Sequence, residues 1–226
     1  YLFKIREILI KNKERLTRLE VQEMGKAISE ARGDVQEAID MFEYTAGEGR
    51  RLFGHTTTSE LKDKFSLTIR TPVGVMSLIT PWNFPIAIPA WKIAPALICG
   101  NTVVFKPSSD TPLCVTELTK IIEKSGVPKG VFNLVTGSAG DIGDELLTNK
   151  DIYGISFHMS EESFNKMNNV EGVLEKSAVL SGEPRASIAQ FAPFYDDAQD
   201  DDNYDRDKQD FQQDCFSYFR QDDVLP

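Results

Sequence analysis

Hydrophobic side chains recur at helical spacing through the first third of the chain. In residues 2–31 they alternate with Lys, Arg and Glu, which predicts an amphipathic helix that ends at Gly33. Asp34 and Glu37 have the spacing of a capping box, so a second helix is predicted from Asp34, with a buried stripe from Val35 to Ala46. Residues 47–64 form a Gly- and Thr-rich connection. We therefore expect residues 1–64 to be helices that pack on the domain that follows.

Apolar runs and helical patterns then alternate through residues 66–157. Five strands are predicted, at Leu67–Arg70, Val73–Ile79, Thr102–Lys106, Val131–Val135 and Ile152–Phe157. Three helices lie between the last four strands, and the clearest has Thr111 as its N-cap and Pro112 in its first turn. This alternation predicts the α/β class, with a doubly wound parallel sheet over residues 65–160 and helices before it.

The remaining residues lack this pattern. Residues 161–193 hold short mixed patterns, and residues 194–226 contain 11 Asp against three basic residues, so they carry eight of the ten net negative charges. Such a composition predicts weak or irregular structure. A surface of clustered Asp also repels phosphate backbones and anionic lipids, which argues against nucleic acid and membranes as partners.

The cysteines and the apolar runs indicate a compartment. Cys99, Cys114 and Cys215 lie far apart without a Cys-x-x-Cys pair, so neither a disulfide framework nor a metal site is predicted. No apolar run approaches the roughly 18 residues of a membrane span, and no basic-then-apolar leader is visible at the start. We expect a reducing, cytoplasmic setting. The first residue is Tyr1 rather than Met, as for a chain that begins inside a longer gene product.

Three motifs in fixed order carry a family resemblance. They are PWNFP at residues 81–85, GNTVVFKPS at residues 100–108 and GVFNLVTG at residues 130–137. Over residues 1–157 the chain resembles the aldehyde dehydrogenase superfamily, and KPSSDTP looks most like bacterial dehydrogenases of semialdehydes and small carboxylated aldehydes. The resemblance implies a Rossmann-like domain that binds NADP or NAD through loops other than the usual glycine fingerprint.

The resemblance also assigns residues to a site. Asn83 matches the oxyanion-hole asparagine, whose amide stabilises the developing negative charge. The positions that match cofactor contacts are Ile79, Pro81, Trp82, Lys106, Ser108, Ser109, Gly137, Gly143, Phe157 and Ser160. Lys106 matches the lysine that holds the adenosine ribose. Ser109 stands where NAD-preferring relatives carry Glu, and because a hydroxyl leaves room for a 2'-phosphate, NADP is the favoured cofactor.

One cofactor motif departs from the family. Phe157 and Ser160 match the ends of a Phe-Thr-Gly-Ser turn whose middle is here His158 and Met159. Met159 would crowd the close backbone approach that glycine permits near the pyrophosphate, so weaker cofactor binding is expected. His158 is an acid or base candidate, but a lone histidine beside a lost motif is expected to be a surface residue.

The catalytic thiol and base of the family have only partial matches in the tail. Val179 falls on the position of the general base, which leaves Glu183 as a displaced candidate. Cys215 lies about as far beyond Asn83 as the catalytic cysteine should, but Asp214 next to it would raise the thiol pKa. Cys99 and Cys114 fall in helical patterns and are expected to be small buried apolar residues.

Three hypotheses follow. The first is NAD(P)-dependent oxidation of a small-molecule aldehyde to a carboxylic acid. The second is a non-catalytic dinucleotide-binding fragment or pseudoenzyme, and the third is an interaction protein whose acidic tail contacts a basic partner. The family is homo-oligomeric, but this chain has no recognisable oligomerisation tail. Residues 161–226 are expected to be a degenerate remnant of, or replacement for, the catalytic domain.

Overall fold

The structure is a computed structural model that describes residues 1–158, 188–190 and 219–220. Its helices are α1 (Leu2–Met24), α2 (Ile28–Glu48), α3 (Ala87–Ile98), α4 (Pro112–Lys124) and α5 (Ala139–Thr148), with a short 3-10 helix at Gly49–Arg51. Its strands are β1 (Thr56–Thr58), β2 (Phe65–Leu67), β3 (Thr71–Pro72), β4 (Val75–Ile79), β5 (Thr102–Lys106), β6 (Phe132–Leu134), β7 (Gly154–Phe157), β8 (Ile188–Gln190) and β9 (Phe219–Arg220).

The break between the first two helices differs from the sequence prediction. It lies at Gly25, which adopts a left-handed conformation with φ 76° and donates its N–H to Val21 O at 3.0 Å. Gly33 instead continues α2, and Asp34 is buried inside that helix rather than capping it. The predicted capping box was wrong because the Asp34 carboxylate accepts a hydrogen bond from the distant Ala87 N–H, at 2.6 Å.

Five parallel strands form the central sheet, in the order β6-β5-β4-β7-β8. The chain moves outward from β4 through β5 to β6 and then returns to the other side of β4 as β7. Buried side chains of α1, α2, α3 and α4 share one core, whereas Leu146 and Leu147 of α5 share a second core with Ile155 and Phe157. The doubly wound α/β fold is confirmed.

Strand positions agree with the prediction except at the start and end of the domain. Thr102–Lys106 is confirmed residue for residue, and the strands predicted at 73–79, 131–135 and 152–157 are each two residues shorter. The predicted strand Leu67–Arg70 was wrong. Its first residue belongs to β2, which pairs with β1 in a separate antiparallel ribbon.

The tail contributes two short strands to the described part of the chain. The fifth strand of the sheet is β8, and β9 pairs antiparallel with β3. Neither strand was predicted from the sequence. The expectation of irregular structure elsewhere in 161–226, and the candidates Ser160, Glu183 and Cys215, lie outside the described residues. Within the described ranges no helix is long and apolar enough to cross a membrane.

Candidate cofactor site

Three of the predicted residues lie side by side at the carboxyl edge of the sheet. Ile79 ends β4 and is in register with Lys106 at the end of β5 and with Phe157 at the end of β7. Thr80 N donates to Lys106 O at 3.2 Å and His158 N donates to Ile79 O at 3.0 Å, so the register continues past the strand ends. The chain reverses its direction of winding between β4 and β7, which makes this edge the switch point where open α/β sheets bind ligands.

Lys106 is buried at this edge rather than solvated. It is 7% exposed, and its Nζ donates to the adjacent Pro107 O at 3.3 Å. Burial lowers the pKa of the Lys106 ammonium, because removal from water disfavours the charged form. An anionic or hydroxyl-rich ligand at the strand end would relieve this cost.

The loop after Lys106 contacts the loop before α5. Ser109 Oγ donates to Gly137 O at 3.5 Å, which joins two segments that the sequence assigned separately to the cofactor. Ser108 Oγ donates to the Asp110 carboxylate at 3.0 Å. A Cβ atom on Gly137 would lie 3.1 Å from Ile142 Cδ1, so glycine permits the tight approach of this loop to α5. Sequence reasoning did not single out Asp110, a carboxylate beside the position expected to select the cofactor.

The amino terminus of α5 opens next to this loop. Ser138 is its N-cap and accepts a hydrogen bond from Asp141 N at 3.2 Å. The helix begins at Ala139, and Gly143 lies inside it, with open space where a Cβ atom would be. Backbone N–H groups at such a helix start favour an anion.

Pro81, Trp82 and Asn83 lie in the segment that follows β4. Trp82 is 51% exposed and Pro81 is half-buried. The Oδ1 atom of Asn83 is buried, and among the described residues it has no hydrogen-bond partner; the same holds for Thr80 Oγ1. Thr80 is hydrogen-bonded through its N–H to the carbonyl of the desolvated Lys106, and its hydroxyl has spare hydrogen-bonding capacity. A donor and acceptor of this kind beside a buried ammonium suits a dinucleotide, so the residues present fit NADP or NAD.

His158 is not the surface residue that was expected. It is half-buried, and its ring meets Trp91 edge to face with 6.4 Å between ring centroids. Burial, and then the nearby Lys92 ammonium, lower the His158 pKa to about 4, so the ring is neutral at pH 7.

The sequence analysis did not single out Lys92. It is 1% exposed, and its Nζ donates to Ser156 Oγ and Phe157 O, both at 3.2 Å. It therefore holds the carboxyl end of β7. The available signal was a lysine in the otherwise apolar run of α3, because such a charge has to be buried with partners.

The described residues do not bring a reactive thiol to this edge. Cys99 and Cys114 are buried free cysteines, as expected. Burial, together with a hydrogen bond to the Glu23 carboxylate, raises the pKa of the Cys114 thiol and opposes formation of a thiolate. The described ranges also contain no group of three or more His, Cys, Asp or Glu side chains that could hold a metal ion.

Comparison with known proteins decides the family. The model of the aldehyde dehydrogenase family matches residues 1–182, which extends the resemblance beyond Phe157. This chain belongs to the aldehyde dehydrogenase family. The betaine aldehyde dehydrogenase of Bacillus subtilis is 41% identical over 186 residues, covering 82% of this chain and 38% of that protein. The succinate-semialdehyde dehydrogenase [NADP(+)] of Escherichia coli is 42% identical over 155 residues, covering 69% and 32%.

Solved structures agree with this assignment. An Escherichia coli NADP-dependent enzyme matches with a TM-score of 0.73 at 38% identity, over 77% of this chain and 36% of that one. The betaine aldehyde dehydrogenase of Staphylococcus aureus in complex with NAD+ matches with a TM-score of 0.75 at 31% identity, over 83% and 35%. The chain therefore spans about a third of the length of the relatives it matches.

Proposed function

We propose that this chain is the dinucleotide-binding part of an NAD(P)-dependent aldehyde dehydrogenase, the enzyme class that oxidises an aldehyde to a carboxylic acid. One observation carries the proposal. Three strand ends lie in register at the switch point, those of Lys106, Ile79 and Phe157, and the lysine amine there is desolvated. The proposed units are N-terminal helices over 1–64, a cofactor domain over 65–160 and a divergent segment over 161–226.

Six residues have a proposed part in binding or in the reaction. Lys106 and Ser109 would hold the adenosine ribose, and Gly137 would let backbone approach the phosphates. When bound, the nicotinamide supplies the hydride acceptor. The Asn83 amide would donate to the aldehyde oxygen as negative charge develops on it, and a donor fixed in advance is worth more than one that must first reorganise. Cys215 and Glu183 remain candidates for the nucleophile and the base.

We propose NADP as the favoured cofactor, because Ser109 leaves room for a 2'-phosphate where a carboxylate would repel it. The name of the Escherichia coli succinate-semialdehyde dehydrogenase specifies NADP(+), which supports this preference, although the Staphylococcus aureus relative is in complex with NAD+. Calorimetric titration of the chain with each nucleotide tests the proposal. We expect NADP to bind at least as tightly as NAD, and a clear preference for NAD would contradict it.

The proposed substrate is a small aldehyde, with semialdehydes first because several relatives are named for them. For turnover, a nucleophilic thiol, a hydride acceptor and the Asn83 amide must converge on one aldehyde group. Since Glu183 is displaced from the base position and the residues around Cys215 do not match the family, we expect no aldehyde-dependent NADPH formation above a Cys215→Ala control. Activity lost in both Cys215→Ala and Asn83→Ala would contradict this expectation.

A non-catalytic binding fragment or pseudoenzyme is the second candidate function. The observation that favours it is that the described residues combine a formed cofactor edge with two free thiols, Cys99 and Cys114, that are both buried. Nucleotide binding without turnover is its expected signature.

Free buried thiols also support the proposed cytoplasmic setting.

A further inference from the structure

A buried charge cluster lies at the junction of the two N-terminal helices. Lys26, in the link between α1 and α2, pairs with Glu20 Oε1 at 3.1 Å and with Asp34 Oδ2 at 3.3 Å. The side chain of Lys26 is 8% exposed and both carboxylates are fully buried. Buried charges are expensive unless they are paired, so these three groups hold each other in place.

This cluster reaches the loop that carries Asn83 at two points. Lys26 Nζ donates to Asn83 O at 2.9 Å and lies 3.6 Å from the centroid of the Phe84 ring. Asp34 Oδ1 accepts the hydrogen bond of Ala87 N, the first residue of α3. The loop is therefore fixed at Asn83 and again where it enters the helix, both times by groups from the N-terminal helices.

We propose that Lys26 is a positioning residue for Asn83, and that it sets where the side-chain amide points by holding the backbone carbonyl of the same residue. This inference rests on the proposed role of Asn83 as an oxyanion donor. A donor of this kind has to be fixed before charge develops, and an ammonium that donates to a carbonyl while two buried carboxylates hold it is a rigid support. Moving Lys26 would leave a buried carboxylate without its cation.

The protonation of the cluster agrees with a rigid unit. Burial first, and then the neighbouring Asp34 carboxylate, raise the Glu20 pKa to about 8. One cation balances one carboxylate, so near neutral pH the second carboxyl keeps its proton and the cluster stays uncharged overall.

The test is the NMR signal of the Asn83 side-chain amide in the full chain, with the signal assigned through Asn83→Ser. In Lys26→Met we expect its two amide proton resonances to shift or broaden. Lys13→Met is the matched control, since Lys13 also joins the two helices, by a hydrogen bond to Gln36, but does not contact the Asn83 loop. In the single variant Asp34→Asn an amide oxygen can still accept from Ala87 N and Glu20 still pairs with Lys26, so the Asn83 signal should stay close to that of the wild-type protein.

Two outcomes would overturn the proposal: an Asn83 amide unchanged in Lys26→Met, or one that Lys13→Met disturbs equally. If Lys26→Met does not fold, the wild-type protein provides the test. Because Lys26 Nζ lies 3.6 Å from the centroid of the Phe84 ring, the protons at the end of the Lys26 side chain should give a cross-relaxation signal with the ring protons. Absence of that signal would overturn the contact and, with it, the proposal. Titration of the wild-type protein with NADP is a separate readout, so failure of nucleotide binding would count against the proposed function and not against the positioning role.

Discussion

Replacement of Lys106 by Met separates ligand binding from stability. The substitution keeps the length and apolar stem of the side chain and removes the buried ammonium, which is 7% exposed and whose pKa burial lowers. A hydrogen bond to a charged group contributes about 1.5–3 kcal/mol, so nucleotide affinity should fall roughly 10-fold to 150-fold. The free energy of unfolding should not fall, because the substitution removes the desolvation cost of the amine.

The assay is calorimetric titration with NADP, accompanied by urea unfolding of the same samples. Lys120→Met is the matched control, since Lys120 is exposed on α4 and pairs with Glu117 at 2.6 Å, away from the strand ends. The control should bind NADP like the wild-type protein. An unchanged affinity in Lys106→Met would refute the placement of Lys106 in the site, and a large loss of stability would show instead that the amine serves the fold.

Three further predictions concern stability, pH and cofactor choice. Glu23→Ala should destabilise the protein by about 1–2 kcal/mol in urea unfolding, because the Glu23 carboxylate caps α4 by accepting from Leu113 N at 2.5 Å and Cys114 N at 2.8 Å. A change in the free energy of unfolding below a few tenths of a kcal/mol would contradict this capping role. In the folded state Glu20 keeps a proton that the unfolded chain releases near pH 4.5, so the free energy of unfolding should fall as pH rises from 4.5 to about 8. Glu20→Gln should reduce that fall when unfolding is measured across this range. An identical slope in the variant would show that Glu20 is not the group responsible. Ser109→Glu should weaken NADP binding about 10-fold or more relative to NAD, a shift of at least ~1.4 kcal/mol, since a carboxylate would face the 2'-phosphate; equal effects on both nucleotides would mean that this position does not select the cofactor.

The sheet was predictable because its strands carry their own signal. Thr102–Lys106 is rich in β-branched and aromatic residues and is bounded by Gly100 and Pro107. Its parallel neighbour β6 follows α4, whose start is marked by the N-cap Thr111 and by Pro112. Lys106 could be placed at a strand end for the same reason. The family motifs then supplied the ligand, which strand patterns alone do not specify.

The misplaced features depend on contacts between distant residues. Asp34 looked like a helix cap because local sequence does not show that Ala87 N–H lies within reach, 53 positions along the chain. The role of Lys26 likewise needs α1, α2 and the Asn83 loop to be packed together. His158 was expected at the surface because nothing in its flanking sequence shows that Trp91 lies against it.

The central claim is that the carboxyl edge of the sheet between β4 and β7 holds the dinucleotide. The most direct test is to titrate the isotopically labelled chain with NADP and follow its backbone amide signals by NMR. We expect saturable shifts concentrated at residues 79–83, 106–109 and 137–139, and little change at the opposite edge near Gly100 and Asn101. Saturation with the largest shifts at that opposite edge, or no shifts at any NADP concentration, would contradict the account.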